Sequence, residues 1–289
     1  MAVISIIDLK KYYGKELVLD IPHMQFENGT SVGIFGANGS GKSTLIKCIT
    51  SLLPYDGEII IDNINIKKDP SPLKNIGVLI EDAVLIKGMS GRENIKYFCK
   101  DCSTLDEYAK ILNVENILDI KSGKYSIGMR QKIAILLACV KGKNAILLDE
   151  PFNGLDIISV EKAINLLLLC RKRGATVILT SHQLDISSRA VDTYYLLKNK
   201  KIFNCTSPQK GAGDRYMIEF FNNDDAAAAY NILIDKTEDC SIDNYCIKFK
   251  LKCNNVYYIL PFIQEIPIKQ LTDITYSVKE AYLKMEEEI

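Results

Sequence analysis

Apolar positions along this chain follow two rhythms. Up to about Asn204, short runs rich in Ile, Leu and Val alternate with longer stretches whose apolar residues recur at helical spacing, with no low-complexity stretch or internal repeat. Short apolar runs bounded by polar residues predict buried strands, and their alternation with amphipathic helices predicts an α/β domain with a largely parallel central sheet. The clearest strands are residues 32–35, 76–80, 145–148 and 176–180. Each is followed by polar residues, where a ligand would sit beyond the strand ends.

Between Ser90 and Lys121 strand formers become scarce and helical spacing takes over, which predicts a small helical insertion inside a helical subdomain of about residues 90–140. Ser207, Pro208, Gly211 and Gly213 then break the pattern and read as a linker, dividing a first domain (1–206) from a second (214–289). In the second, residues 216–221, 245–251 and 266–276 read as strands, 224–234 and 255–263 as helices, and 278–288 as a closing amphipathic helix. Two β-α-β units of this size predict a small α+β lobe of split, ferredoxin-like type.

Composition narrows the class of function. The chain has 289 residues, and its 36 basic and 36 acidic side chains cancel, so no overall field draws it to nucleic acid or to an anionic membrane. Nucleic acid is not an expected partner. The longest apolar runs, such as 133–140 and 164–170, fall short of the roughly 20 residues that span a bilayer. Residues 1–9 lack the cationic start, long apolar centre and cleavage site of a secretory signal, so the expected compartment is the cytoplasm. Nine cysteines scattered through apolar and polar segments suit free thiols in a reducing environment. Cys99 and Cys102 have C-x-x-C spacing, but no second pair accompanies them and both histidines, His23 and His182, lie far away in sequence, so a metal or redox role has no supporting context.

The chemistry is concentrated at two places. Gly36-Ala37-Asn38-Gly39-Ser40-Gly41-Lys42-Ser43-Thr44 fits G-x-x-x-x-G-K-[ST] and follows a predicted strand. Its glycines allow a turn tight enough for several backbone N–H groups to face one anion, and a helix starting near Lys42 adds the positive end of its dipole. Lys42 would reach the β- and γ-phosphates, and the Ser43 hydroxyl would ligate Mg²⁺. The second place is the apolar strand that ends in Asp149 and Glu150. Adjacent strand residues point opposite ways, so the two acids have different tasks: Asp149 on Mg²⁺ through water, Glu150 facing the γ-phosphate to orient or deprotonate the attacking water. Taken alone, this pair also reads as a strand running into an acidic turn.

Further motifs resemble those of ATP-binding cassette (ABC) ATPases, in the family's order and over residues 2–204. Tyr125-Ser126-Ile127-Gly128-Met129-Arg130-Gln131 resembles the signature motif in the variant form of many exporter subunits. Tyr13 resembles the aromatic residue that stacks on adenine, Asn153-Gly154-Leu155-Asp156 the D-loop, and Thr180-Ser181-His182 the switch-histidine region. The resemblance implies a P-loop NTPase fold that binds ATP and Mg²⁺, with Tyr13, Gly36, Asn38, Gly39, Gly41, Lys42, Ser43, Thr44, Ser126, Gly128 and Asp156 around the nucleotide. It implies Ser43, Glu81 and Asp149 at the metal, and Glu150, His182 and Lys42 in catalysis. It also implies a head-to-tail homodimer in which one copy supplies the cradle and the other the signature helix.

Three features depart from the family's usual pattern. Glu81 stands where a glutamine is usual, Ile127 where the commonest signature has glycine, and the helical insertion is short. Residues 277–283 resemble the closing helix of drug, lantibiotic and other ABC-2 type exporter ATPases. The expected function is therefore the ATPase subunit of an ABC exporter, peripheral on the cytoplasmic face beneath separately encoded membrane permease subunits. The alternative is a soluble ABC ATPase acting on ribosomes or DNA. A single cassette with no net positive charge and no long inserted coiled coil weighs against it.

Overall fold

Apolar runs become central strands because both of their faces are covered. The structure is a computed structural model that describes residues 2–80, 85–182, 188–204, 215–251, 262–263 and 266–273. The chain divides into two compact units, Met1–Thr206 and Ser207–Ile289. In the first, β3 (Ser31–Phe35), β7 (Ala145–Asp149) and β8 (Thr176–Ser181) are buried at every position. With β6 (Ile76–Leu79), β9 (Thr193–Lys198) and β10 (Lys201–Asn204) they form a six-stranded sheet of order β10-β9-β3-β8-β7-β6. It is parallel except for β10, which returns antiparallel to β9.

Alternate residues feed two cores. Ala145, Leu147 and Ile178 pack on one side with Leu45, Ile46 and Ile49 of α1 (Lys42–Ile49) and with a second, antiparallel sheet. That sheet has order β2-β1-β4-β5, from β1 (Ala2–Tyr13), β2 (Glu16–Glu27), β4 (Asp56–Ile61) and β5 (Ile64–Asn65). It is an addition to the predicted elements: bulges near Ala2/Ile4, Lys11/Tyr12 and Ile7/Lys10 break the two-residue period that would announce it. On the opposite side Ile146, Leu148, Val177 and Leu179 meet the helices α2 (Gly91–Phe98), α3 (Leu105–Leu112), α4 (Ile127–Lys141) and α5 (Ile157–Lys172).

The predicted insertion is α2 and α3. Helix α2 starts at a capping box in which Ser90 Oγ accepts from Glu93 N at 3.2 Å and Ser90 N donates to Glu93 Oε2 at 2.6 Å. Those bonds, with Lys121 3.0 Å away, hold the Glu93 carboxyl down at about 2. The C-x-x-C stretch forms the turn after α2, with Cys102 Sγ donating to Cys99 O at 3.5 Å.

In the second unit, β11 (Arg215–Phe220), β12 (Glu238–Asp243), β13 (Cys246–Lys250) and β14 (Ile268–Asp273) form an antiparallel sheet of order β12-β13-β11-β14. Ile218, Phe220, Ile247 and Phe249 pack against Ala226, Ala229 and Leu233 of α6 (Asn223–Leu233). Strand β12 is absent from the sequence-based reading because its six residues include only one large apolar side chain, Ile242. The expected helix 255–263 is described only at 262–263, and the expected helix 278–288 lies outside the described residues.

One contact fixes how closely α4 sits on the sheet. A Cβ at Gly77 in β6 would lie 1.8 Å from Ala138 O of α4. Because both sides of that contact are backbone, Gly77→Ala is expected to destabilise the chain by about 2–3 kcal/mol in a urea melt. Gly88→Ala, with nothing within 4 Å of the added carbon, should be close to neutral.

Candidate nucleotide site

The loop between β3 and α1 is built around a backbone that only glycine adopts easily. Gly41, the residue before α1, has φ 107° and a Cβ there would lie 2.8 Å from Leu19 Cδ2. It gives α1 no side-chain cap, whereas Ser90, Ser126, Asp156 and Asn222 cap α2, α4, α5 and α6. The first-turn N–H groups of Lys42, Ser43 and Thr44 therefore keep donor capacity at the positive end of the helix. Asn38 and Gly39 are exposed on the loop, and Ser43 and Thr44 are half-buried. Ser40 Oγ is buried and, among the described residues, has no hydrogen-bond partner.

Lys42 turns back into this loop. Its ammonium is 6% exposed and donates to Gly36 O at 2.8 Å and Ala37 O at 3.1 Å. Burial pushes its pKa below the ordinary lysine value, and the negative charges of Glu150 and Asp149 oppose that shift. An ammonium, an uncapped helix start and a buried hydroxyl without a partner suit a polyanion such as triphosphate.

The two acids at the end of β7 separate as their strand positions require. Asp149 is buried, and its Oδ1 accepts from Thr180 Oγ1 at 2.5 Å, the residue paired with it across the β7–β8 ladder. Glu150 leaves the strand with φ 46°. Its N–H donates to both Thr180 O (3.2 Å) and Thr180 Oγ1 (3.1 Å). The Glu150 carboxylate then lies between the other two predicted catalytic groups, with Oε1 3.8 Å from Lys42 Nζ and Oε2 accepting from His182 Nδ1 at 2.9 Å. His182, just past β8, is itself exposed. Helix α1 packs on β7, which places Ser43 and Asp149 on neighbouring elements. Among the described residues no group of three or more His, Cys, Asp or Glu could hold a metal ion by itself. A divalent ion here would depend on phosphate oxygens beside the Ser43 hydroxyl and Asp149, the hard oxygen donors Mg²⁺ prefers. Glu81 lies outside the described residues.

The remaining predicted residues form a second cluster and a lone platform. Ser126 caps α4, its Oγ accepting from Met129 N at 3.2 Å, and is exposed. Asp156 caps α5, accepting from Ser159 N at 2.8 Å and Ser159 Oγ at 2.9 Å, bonds that lower its pKa. The two helix starts touch: a Cβ at Gly128 would lie 3.1 Å from Gly154 O, and Gln131 Nε2 donates to Pro151 O at 2.8 Å. Around them Ile127, Ile157 and Ile158 are 79%, 82% and 69% exposed. Tyr13, at the end of β1, is half exposed with Lys11 Nζ 5.0 Å from its ring centroid. In the sequence, Thr180 and Ser40 stand only as members of motifs, with no individual role, and Lys11 falls in none. A hydroxyl directly across the ladder from Asp149 becomes a signal only when the register is known.

A parallel sheet whose strand ends converge on a glycine-rich anion loop, a lysine and an acid–histidine pair defines a P-loop nucleotide-hydrolysing domain. The ABC transporter family model matches residues 19–153. The uncharacterized ABC transporter ATP-binding protein YybJ of Bacillus subtilis is 36% identical over 62% of this chain and 85% of its own length. The lantibiotic transport ATP-binding protein SrtF of Streptococcus pyogenes is 28% identical over 76% of this chain and 96% of its own. A dimeric bacterial ABC transporter cassette superposes with a TM-score of 0.63 at 26% identity, covering 69% of this chain and 96% of that one. The chain belongs to the ABC transporter ATP-binding proteins, the subunits that bind ATP and hydrolyse it to drive transport. Among the described residues no helix is long and apolar enough to cross a membrane.

Thr180→Val tests how the two acids are held. It strips the buried Asp149 carboxylate of its hydroxyl donor and takes one acceptor from Glu150 N, so a loss of about 1–3 kcal/mol in thermal or urea unfolding is expected. Thr180→Ser, which keeps the hydroxyl, should recover most of it.

Proposed function

We propose that this chain powers an ABC exporter as a head-to-tail homodimer on the cytoplasmic face of the membrane, beneath separately encoded permease subunits. The observation that carries the reading is the Glu150 carboxylate between Lys42 Nζ (3.8 Å) and His182 Nδ1 (2.9 Å) at the ends of β7 and β8. Tyr13 stacks on the adenine base. The loop from Gly36 through Thr44, including Asn38, Gly39 and Gly41, receives the phosphates, and Lys42 neutralises charge on the β- and γ-phosphates. Glu150 accepts a hydrogen bond from the attacking water and takes its proton as the oxygen reaches phosphorus. His182 steadies that carboxylate and offers a donor to the developing charge. Ser43, Asp149 and Glu81 are the residues that would hold Mg²⁺, which when bound supplies positive charge to the phosphate oxygens.

Exposure of the signature side supports the dimer. Ser126, the Gly128 N–H and Asp156 sit among Ile127, Ile157 and Ile158, large apolar side chains open to solvent. A second copy covering that patch would bring its phosphate loop to the helix start at Ser126, and a cassette this chain resembles is dimeric. A cavity of 240 Å³ lined by Leu52, Ile80, Leu85, Phe98, Leu137 and Lys141 supports the permease contact, because it opens at the end of β6 immediately before Glu81 in sequence. Two of its lining side chains, Leu52 and Phe98, are apolar and exposed. Export follows the lantibiotic-transport relative. The ribosome- or DNA-acting alternative is not favoured, since the relatives are transport subunits.

Glu150→Gln removes the base and keeps its shape. ATP binding should persist, turnover should fall by about 10²- to 10⁴-fold, and an ATP-dependent dimer should accumulate in size-exclusion chromatography with light scattering. Hydrolysis at the wild-type rate in that variant would contradict the assigned base.

A further inference from the structure

Lys11 is a cation in an unusual setting. It lies in β1 two residues before Tyr13, is 6% exposed, and its Nζ donates to Pro54 O at 2.8 Å while lying 5.0 Å from the centroid of the Tyr13 ring. Among the described residues no carboxylate pairs with it. Removing an ammonium from water is unfavourable unless something replaces the lost hydration, and one carbonyl replaces only part of it. The other partner is the face of an aromatic ring, whose quadrupole attracts a cation.

Its position links two halves of the nucleotide site. The β1–β2 register shifts between Lys11 and Tyr12, a bulge that re-aims the side chains at the end of β1. Pro54 follows α1, and the Lys11 charge is felt by the buried Cys48 thiol on α1 itself. Lys11 therefore tethers the Tyr13 ring to the same body whose helix start receives the phosphates.

We propose that Lys11 is the positioning residue for Tyr13, holding the ring as a preorganised platform for the purine base at a fixed distance from the phosphate loop. This rests on the reading of Tyr13 as the base-stacking residue. A ring already held in place loses less freedom when a base stacks on it, so the gain appears as affinity for nucleotides that carry a base. A cation–ring contact of this exposure corresponds to about a 2- to 5-fold change in Kd.

The experiment compares ATP with tripolyphosphate, which has the phosphates and no base, by calorimetric titration of the full chain with Lys11→Met, Lys11→Arg, Tyr13→Ala and the Lys11→Met/Tyr13→Ala pair. Lys11→Met should weaken ATP about 2- to 5-fold, leave tripolyphosphate unchanged and move KM rather than kcat. Lys11→Arg should retain most of the wild-type affinity, and the effect of Lys11→Met should vanish once Tyr13 is alanine. Should Lys11→Met not fold, Lys11→Gln keeps a donor for Pro54 O without the charge and is measured instead. Equal weakening of both ligands, a full effect in the Tyr13→Ala background, or no effect on ATP overturns the proposal. If Tyr13→Ala itself binds ATP like the wild type, the base-stacking role of Tyr13 fails, an outcome separate from the failure of Lys11 alone.

Discussion

The site depends on one carboxylate that must sit where a strand has just ended. Glu150 turns out of β7 with a left-handed backbone, and that turn is held by two hydrogen bonds from its N–H to Thr180. A non-glycine residue at positive φ persists only where its surroundings over-determine it. Here they do: the Thr180 hydroxyl accepts from Glu150 N and donates to Asp149, so one side chain on β8 fixes both acids. The central sheet matters for function because it sets β7 and β8 in register and brings β3, with its loop, alongside β8.

Charge then organises what the backbone has placed. Lys42 is buried deeply enough for desolvation to work against its charge, and the Glu150 and Asp149 carboxylates are what favour the ammonium. Glu150 is tied in turn to His182. On the proposed reading, anion binding is divided between two helix starts. Helix α1 has no side-chain cap and keeps its first-turn donors, whereas α4 is capped by a Ser126 hydroxyl that is exposed and has further acceptor and donor capacity. The two sit on separate elements, which suits a site completed by a second copy.

Much of this was legible in the chain, and the exceptions have physical causes. Strands β3, β6, β7 and β8 show as short apolar runs because both faces are buried. The two 12-residue strands β1 and β2 do not, because bulges interrupt their alternation and charged residues such as Asp8, Lys10 and Asp20 fall within them. Strand β12 is polar for a simpler reason: it lies at a sheet edge. At the site, the spacing around Gly36 and the paired acids after β7 announce themselves because phosphate chemistry restricts which residues serve. The contributions of Thr180 and Lys11 are invisible in one dimension, since each acts through a partner reached only after folding.

The most direct measurement is a crystal structure of the Glu150→Gln chain grown with Mg²⁺ and ATP. The account predicts the γ-phosphate within hydrogen-bond reach of Lys42 and residue 150 in one copy and of Ser126 in a second, with the base on Tyr13. Nucleotide bound away from the loop after β3, or a dimer that leaves Ser126 far from every phosphate, would contradict it.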